Sequence, residues 1–179
     1  MKDIDLIRRW QDGDESAFRT LYERYRRPLY AYLNRLASGE THLADDLFQQ
    51  VWMRAIDSFG RYREKDRFLS WLFRIAHNRA TDHFRRRKVA AEEVLDHPVP
   101  DETEPVADRI DQTTISKALE EAIRDLNPDQ QEVLELRRNG VPFKKIAEIQ
   151  QVSLNTVLGR MHYAVNHLRK ALAPLRNSP

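Results

Sequence analysis

The sequence predicts an all-α fold: two small helical domains joined by a flexible acidic linker, the C-terminal one containing a helix-turn-helix. Three observations carry this. Apolar residues recur at helical spacing through most of the 179 residues, with few strand-like runs and only five glycines. Residues 89–114 break the rhythm. Pro98, Pro100 and Pro105 forbid a continuous helix there, and Glu92, Glu93, Asp96, Asp101, Glu102, Glu104, Asp108 and Asp111 face a single nearby base, Arg109. The last helical stretch then splits into two helices around the short turn Gln151-Val152-Ser153. The expected domains are therefore 1–88, the linker 89–114, and 115–179.

Composition narrows the function classes. Net charge is only +2, but the bases concentrate in helices and the acids in the linker, which fits a basic binding surface joined to an acidic connector. With no cysteine, disulfides, thiol catalysis and cysteine metal sites are excluded. No apolar run approaches the ~18 residues of a membrane span, and the start Met1-Lys2-Asp3-Ile4-Asp5 does not resemble a signal sequence. A cytoplasmic protein with no membrane insertion is expected. His42, His83, His97, His162 and His167 show no metal-ligand spacing, and His77 and Asp82 are misaligned on a helix. Neither a metal, a cofactor nor a catalytic residue is expected.

In chain order, residues 3–12 form a short amphipathic helix through Ile4, Leu6, Ile7 and Trp10, stopped by Gly13. Asp14 caps a second helix, whose stripe is Phe18, Leu21, Tyr22, Tyr25, Leu29, Tyr32, Leu33 and Leu36 and which Pro28 should kink. These aromatics read as core. A third helix over 43–59, starting from Thr41 or His42, packs through Leu47, Val51 and Ala55. Its opposite face gathers Asp46, Gln49, Gln50, Met53 and Asp57. A methionine among acids and amides suits a protein-binding hot spot, or else an ordinary solvated face. The charged loop 60–67 follows, with Tyr62 among Arg61, Arg63 and Arg67.

The helix expected over 68–88 buries Phe68, Trp71, Leu72, Ile75, Ala76, Ala80 and Phe84. Arg67, Arg74, Asn78, Thr81 and Arg85 fall on one stripe opposite. Such a line of phosphate-binding and base-reading groups suits nucleic acid, although a solvated helix face has the same pattern.

Beyond the linker, residues 115–126 make one helix, and Asn127 caps another that starts at Pro128 and ends at Asn139-Gly140. Pro142 opens the helix 143–150. The last helix is assigned inner positions Leu154, Val157, Leu158, Met161, Val165, Leu168 and Leu172. Its exposed face is assigned Asn155, Thr156, Arg160, Tyr163, His167 and Lys170, with Ser153 as its cap. Gln151 stands where such turns usually have glycine.

These segments resemble the extracytoplasmic-function (ECF) sigma factors, the smallest bacterial RNA polymerase specificity subunits of the sigma-70 superfamily. Gly13-Asp14 with Ala17-Phe18, Ala44-Asp45-Asp46-Leu47 with Gln49, Val51 and Arg54-Ala55, and Phe68, Trp71-Leu72, Arg74-Ile75-Ala76, Asn78, Asp82 and Arg85-Arg86 carry the first half. Leu126, Pro128, Gln130, Glu132-Val133-Leu134, Leu136, Ile146-Ala147, Thr156-Val157, Arg160, Ala164 and Leu168-Arg169 carry the second. The resemblance implies that Asp45, Asp46, Gln49, Gln50 and Met53 bind the clamp helices of the polymerase largest subunit. It implies that Arg61, Tyr62, Arg63, Arg67, Arg74, Asn78, Thr81 and Arg85 recognise and open the minus-ten promoter element. Ser153, Asn155, Thr156, Arg160, Tyr163 and His167 would read the minus-thirty-five element. Core polymerase, through its clamp and flap, promoter DNA and an anti-sigma factor are the implied partners. The sequence departs from the family at Gln50, for the usual Glu, at Pro142 and Lys144-Lys145, at Gln151, and at Leu158-Gly159, for the usual Lys-Ser. A stand-alone helix-turn-helix regulator would explain the C-terminal half but leave the polar face of the third helix unused.

Overall fold

The computed structural model describes residues 1–63, 67–93 and 114–176. Helices this short cannot bury an apolar stripe alone, so they must pack on one another. The described residues form eight α-helices and one 3-10 turn, with no strand among them. The chain divides into two compact units, Met1–Glu104 and Pro105–Pro179. Most of the expected acidic linker, 94–113, and the loop positions 64–66 lie outside the described residues.

In the first unit, α1 (Asp3–Gln11) ends where Gly13 turns to φ +97°. Asp14 then caps α2 (Glu15–Leu36), its carboxylate accepting the Ser16 backbone N–H at 3.0 Å and the Ser16 hydroxyl at 2.5 Å. Arg9 pairs with the same carboxylate, and Ser16 first, then Arg9, hold the Asp14 pKa below its usual value. Helix α2 continues through Pro28 without ending there. Proline inside a helix costs roughly 3 kcal/mol; Leu29, Tyr32 and Leu33, all essentially fully buried just after it, each recover about 1.5–3 kcal/mol.

Helix α3 (Thr41–Ser58) starts at Thr41, one of the two expected starts, and passes into a 3-10 turn, Phe59–Arg61. Leu47, Val51 and Ala55 are buried as expected, joined by Leu43, Ala44 and Trp52. Helix α4 (Phe68–Glu93) is longer than expected, because Val89 to Glu93 continue it instead of opening the linker. Alanines and straight-chain residues there favour helix, and acidic composition alone does not end one. Within α4, Phe73 is wholly buried though the sequence reading omitted it, and Phe84, assigned to the core, is 39% exposed. Helix α2 packs on α1, α3 and α4, and α3 on α4.

The second unit contains α5 (Thr114–Arg124), α6 (Pro128–Arg138), α7 (Phe143–Gln150) and α8 (Leu154–Arg176), with α8 packed on the other three. Asn127 and Gln130 form a reciprocal capping box at α6. At the α7–α8 turn Gln151 takes the left-handed conformation itself, φ +55° and ψ +40°. Its N–H and that of Val152 both reach the Ala147 carbonyl, which offsets the 1–2 kcal/mol a side chain costs there.

Candidate nucleic-acid and polymerase interface

The α4 stripe is built from the core outward. Leu72, Phe73, Ala76 and Ala80 are buried at 2% exposure or less, which turns Arg74, Asn78, Thr81 and Arg85 outward, all exposed. From Arg74 to Arg85 the line spans about 16 Å at the helical rise. Arg67 is exposed just before the helix. Arg85 is tethered along the helix to Asp82 at 3.0 Å.

The loop leading into α4 is divided. Arg61 and Arg63 are exposed. Tyr62, expected among the DNA-facing residues, is only 4% exposed, its ring 5.4 Å from Phe68 and 5.2 Å from Trp71. A ring so enclosed anchors the loop to α4 and has no free face for stacking a base. Beside it lies a hollow of about 420 Å³ lined by Ile4, Ile7, Phe59 and Tyr62 and by the polar Arg8, Gln11 and Arg63. The contribution of α1 to this hollow was missed. It arises from a tertiary contact between distant segments, for which the sequence holds no local signal.

On α3, Asp45, Asp46, Gln49, Gln50 and Met53 are all exposed, Met53 to 61%. Asp45 accepts the Tyr30 hydroxyl at 2.8 Å, and that bond, foremost, raises the Tyr30 pKa. The face is therefore braced against α2 at one end. It presents a flexible apolar tip among acceptors and amides.

In the second unit the helix-turn-helix holds, and five of the seven inner positions assigned to α8, Val157, Met161, Val165, Leu168 and Leu172, are buried or half-buried. Val157 and Ala164 are fully buried, while Leu154 and Leu158, assigned inward, are exposed. The packed line is Val157, Met161, Ala164, Leu168, a spacing the sequence contains but which the extra leucines obscured. Ser153 caps α8, its Oγ accepting the Thr156 N–H at 3.1 Å. Asn155, Thr156 and Tyr163 are exposed as expected.

Arg160 and His167, expected on the exposed face, turn toward the neighbouring helices. The Arg160 guanidinium pairs with Asp129 of α6 and donates to Gln150 Oε1 at 2.7 Å. Gln150 in turn donates to the buried Glu132 at 2.6 Å and to the Asp129 carbonyl at 3.1 Å. This network fastens α6, α7 and α8 together. His167 Nε2 stands 4.0 Å from an Asp125 carboxylate oxygen, too far for a hydrogen bond. Arg160 points inward because acceptors on the facing helices receive it, whereas the buried His167 Nε2 has no hydrogen-bond partner.

Comparison with known proteins decides the family. The sigma-70 region 2 profile matches residues 21–89, and the sigma-70 region 4 profile matches residues 116–168. The ECF sigma factor SigM of Mycobacterium tuberculosis is 31% identical over 97% of this chain and 86% of its own length. The chain belongs to the ECF sigma factors. SigW of Bacillus subtilis is 30% identical over 94% of this chain and 96% of its own, and CarQ of Myxococcus xanthus is 29% identical over 94% and 97%. The fold agrees with the sigma factor RpoE of Bartonella quintana, solved with the anti-sigma factor NepR, at TM-score 0.65, 23% identity, and coverage of 87% of this chain and 96% of that one. It also agrees with CnrH, solved with the cytosolic domain of CnrY, at TM-score 0.62, 22% identity, and coverage of 98% and 99%. As a sigma factor it is a promoter-specificity subunit that binds core RNA polymerase and promoter DNA. The family acts in transcription initiation and is not known as an enzyme family. Among the described residues no helix is long and apolar enough to cross a membrane.

Proposed function

We propose that the two units divide promoter recognition between them, the first opening the minus-ten element and the second reading the minus-thirty-five duplex. The supporting observation is the α4 stripe: Arg74, Asn78, Thr81 and Arg85 form one exposed line opposite a closely packed core. Cationic groups on such a line hold the phosphates of a strand, and the amide and hydroxyl hydrogen-bond base edges. Opening a base-pair step costs on the order of 1.4 kcal/mol, and capturing an unpaired base returns roughly 1–3 kcal/mol. The hollow between α1 and the loop is a receptacle for one such base. One captured base nucleates melting without completing it, so the core polymerase must supply the rest.

Asp45, Asp46, Gln49, Gln50 and Met53 of α3 dock the polymerase clamp, with Met53 as the apolar anchor inside a polar rim. Gln50 makes this face one charge less acidic than the family's usual Glu. The cap Ser153 and Asn155, Thr156 and Tyr163 of α8 face the minus-thirty-five duplex, and Arg160 holds α8 at the angle that presents them. The first domain runs to the end of α4 at Glu93 and the second starts with α5 at Thr114, with 94–113 as connector, and the protein works in the cytoplasm. An anti-sigma factor restrains it, as RpoE was solved bound to the anti-sigma factor NepR; affinity capture that returns only core polymerase would count against this.

The test of strand opening uses purified core polymerase and a matched promoter. Arg74→Ala and Asn78→Ala should reduce open-complex formation, read by permanganate reactivity, about tenfold or more while core binding stays within about twofold, as expected for contacts of 1–3 kcal/mol. Loss of both activities together would make α4 a structural helix.

A further inference from the structure

Leu158 lies in the second turn of α8 and is 43% exposed. Asn155 precedes it by one turn and His162 follows by one, both exposed on the same side. Folding does not explain an aliphatic side chain there, because Val157, Met161, Ala164 and Leu168 supply the packed line. Gly159, next to it, is equally unexplained by the fold. It is not among the positive-φ glycines, and a Cβ placed on it would meet nothing within 4 Å. A helix-interior glycine destabilises relative to alanine, so the bare backbone points to close approach by something outside the chain.

The surroundings specify what approaches. The side is amide-bearing at Asn155 and basic farther along at Arg169, both exposed, which suits a polyanion. In a helix-turn-helix the N-terminal residues of the second helix meet base edges in the major groove. The apolar group displayed in that groove is the 5-methyl of thymine. We propose that Leu158 is a specificity-determining residue that packs on the 5-methyl group of a thymine in the upstream promoter element. Asn155 hydrogen-bonds the adenine of a neighbouring pair, and Gly159 lets the helix backbone come close enough for both. This rests on α8 being the duplex-reading helix.

The experiment uses holoenzyme assembled from core polymerase and the full chain. Selection from promoters with randomised upstream sequence gives the preferred element. Each thymine in it is then replaced singly by deoxyuridine, which lacks only the methyl. One replacement should weaken binding about fourfold, the worth of one buried methyl, and Leu158→Ala should abolish that sensitivity. Leu158→Lys should shift selection at the same position toward guanine, the usual lysine partner. Gly159→Ala should raise the melting temperature and weaken binding several-fold. A selected element without thymine, a methyl effect that persists in Leu158→Ala, or unchanged binding by Gly159→Ala would overturn the proposal. A holoenzyme with no upstream preference would overturn the assignment of α8 itself, an outcome distinct from a preference that ignores Leu158.

Discussion

Helices α4 and α8 both carry a line of polar residues proposed to meet DNA, yet one was fully legible from spacing and the other only in part. On α4 every member of the expected stripe is exposed, because a continuous run of apolar residues claims the other side. On α8 the packed line is narrow and includes an alanine, and three helices close on it from different directions. Leucines are left outside and an arginine is drawn inward. The rule that apolar residues lie inside runs one way only, and a buried or braced polar group is the informative case. The contrast teaches that exposure on a recognition helix is set by which partners the neighbouring helices offer.

The largest test of this contrast falls on Tyr62. An exposed stacking ring could be removed without loss of stability, whereas a ring enclosed by Phe68 and Trp71 could not. Tyr62→Ala should destabilise the protein by about 3–5 kcal/mol, seen as a lower urea midpoint. A midpoint within experimental error of the parent would return Tyr62 to the DNA-facing group.

Next in size is a direct comparison of two arginines both assigned to DNA from sequence, Arg74 to the minus-ten and Arg160 to the minus-thirty-five element. Arg160→Ala should cost about 1–2 kcal/mol, since it removes a charge-assisted bond to Asp129 and one to Gln150, discounted because Asp129 is 58% exposed. Arg74→Ala, on the outward stripe, should stay within about 0.5 kcal/mol. Chemical denaturation of the two variants side by side checks this. Equal stabilities would mean that Arg160 is as free as Arg74.

Much of the fold was readable because its signals are local. Asp14, Asn127 and Ser153 cap the helices they were expected to cap, Gly13 and Gly140 end theirs, and the third-helix face stands exposed as a group. What was not readable depends on how the helices and the loop pack in three dimensions. Pro28 is tolerated because buried neighbours outweigh one lost hydrogen bond. Tyr62 is buried because Phe68 and Trp71 fold over it, and Arg160 turns because Asp129 and Gln150 wait for it. None of these has a local pattern.

The smallest effect separates the two units by their helix caps. Asp14 caps α2 with a charge and Ser153 caps α8 without one, a difference that matters only if phosphate approaches α8. The folded pKa of Asp14 lies below its unfolded value. Its stabilisation is therefore complete above the unfolded carboxylate pKa and disappears as pH falls through the lowered folded one. Asp14→Asn keeps a capping oxygen and should flatten that acid limb slightly in a pH series of thermal melts. Ser153→Asp should likewise keep the cap, with the helix dipole favouring the new charge, so stability at neutral pH should not fall. Binding to an upstream promoter duplex should fall instead, most at low salt, because the carboxylate repels the phosphate that the free N–H groups would hold. If Ser153→Asp binds the duplex as well as the parent at low salt, the N-terminus of α8 does not face the DNA backbone, and the neutral cap is incidental.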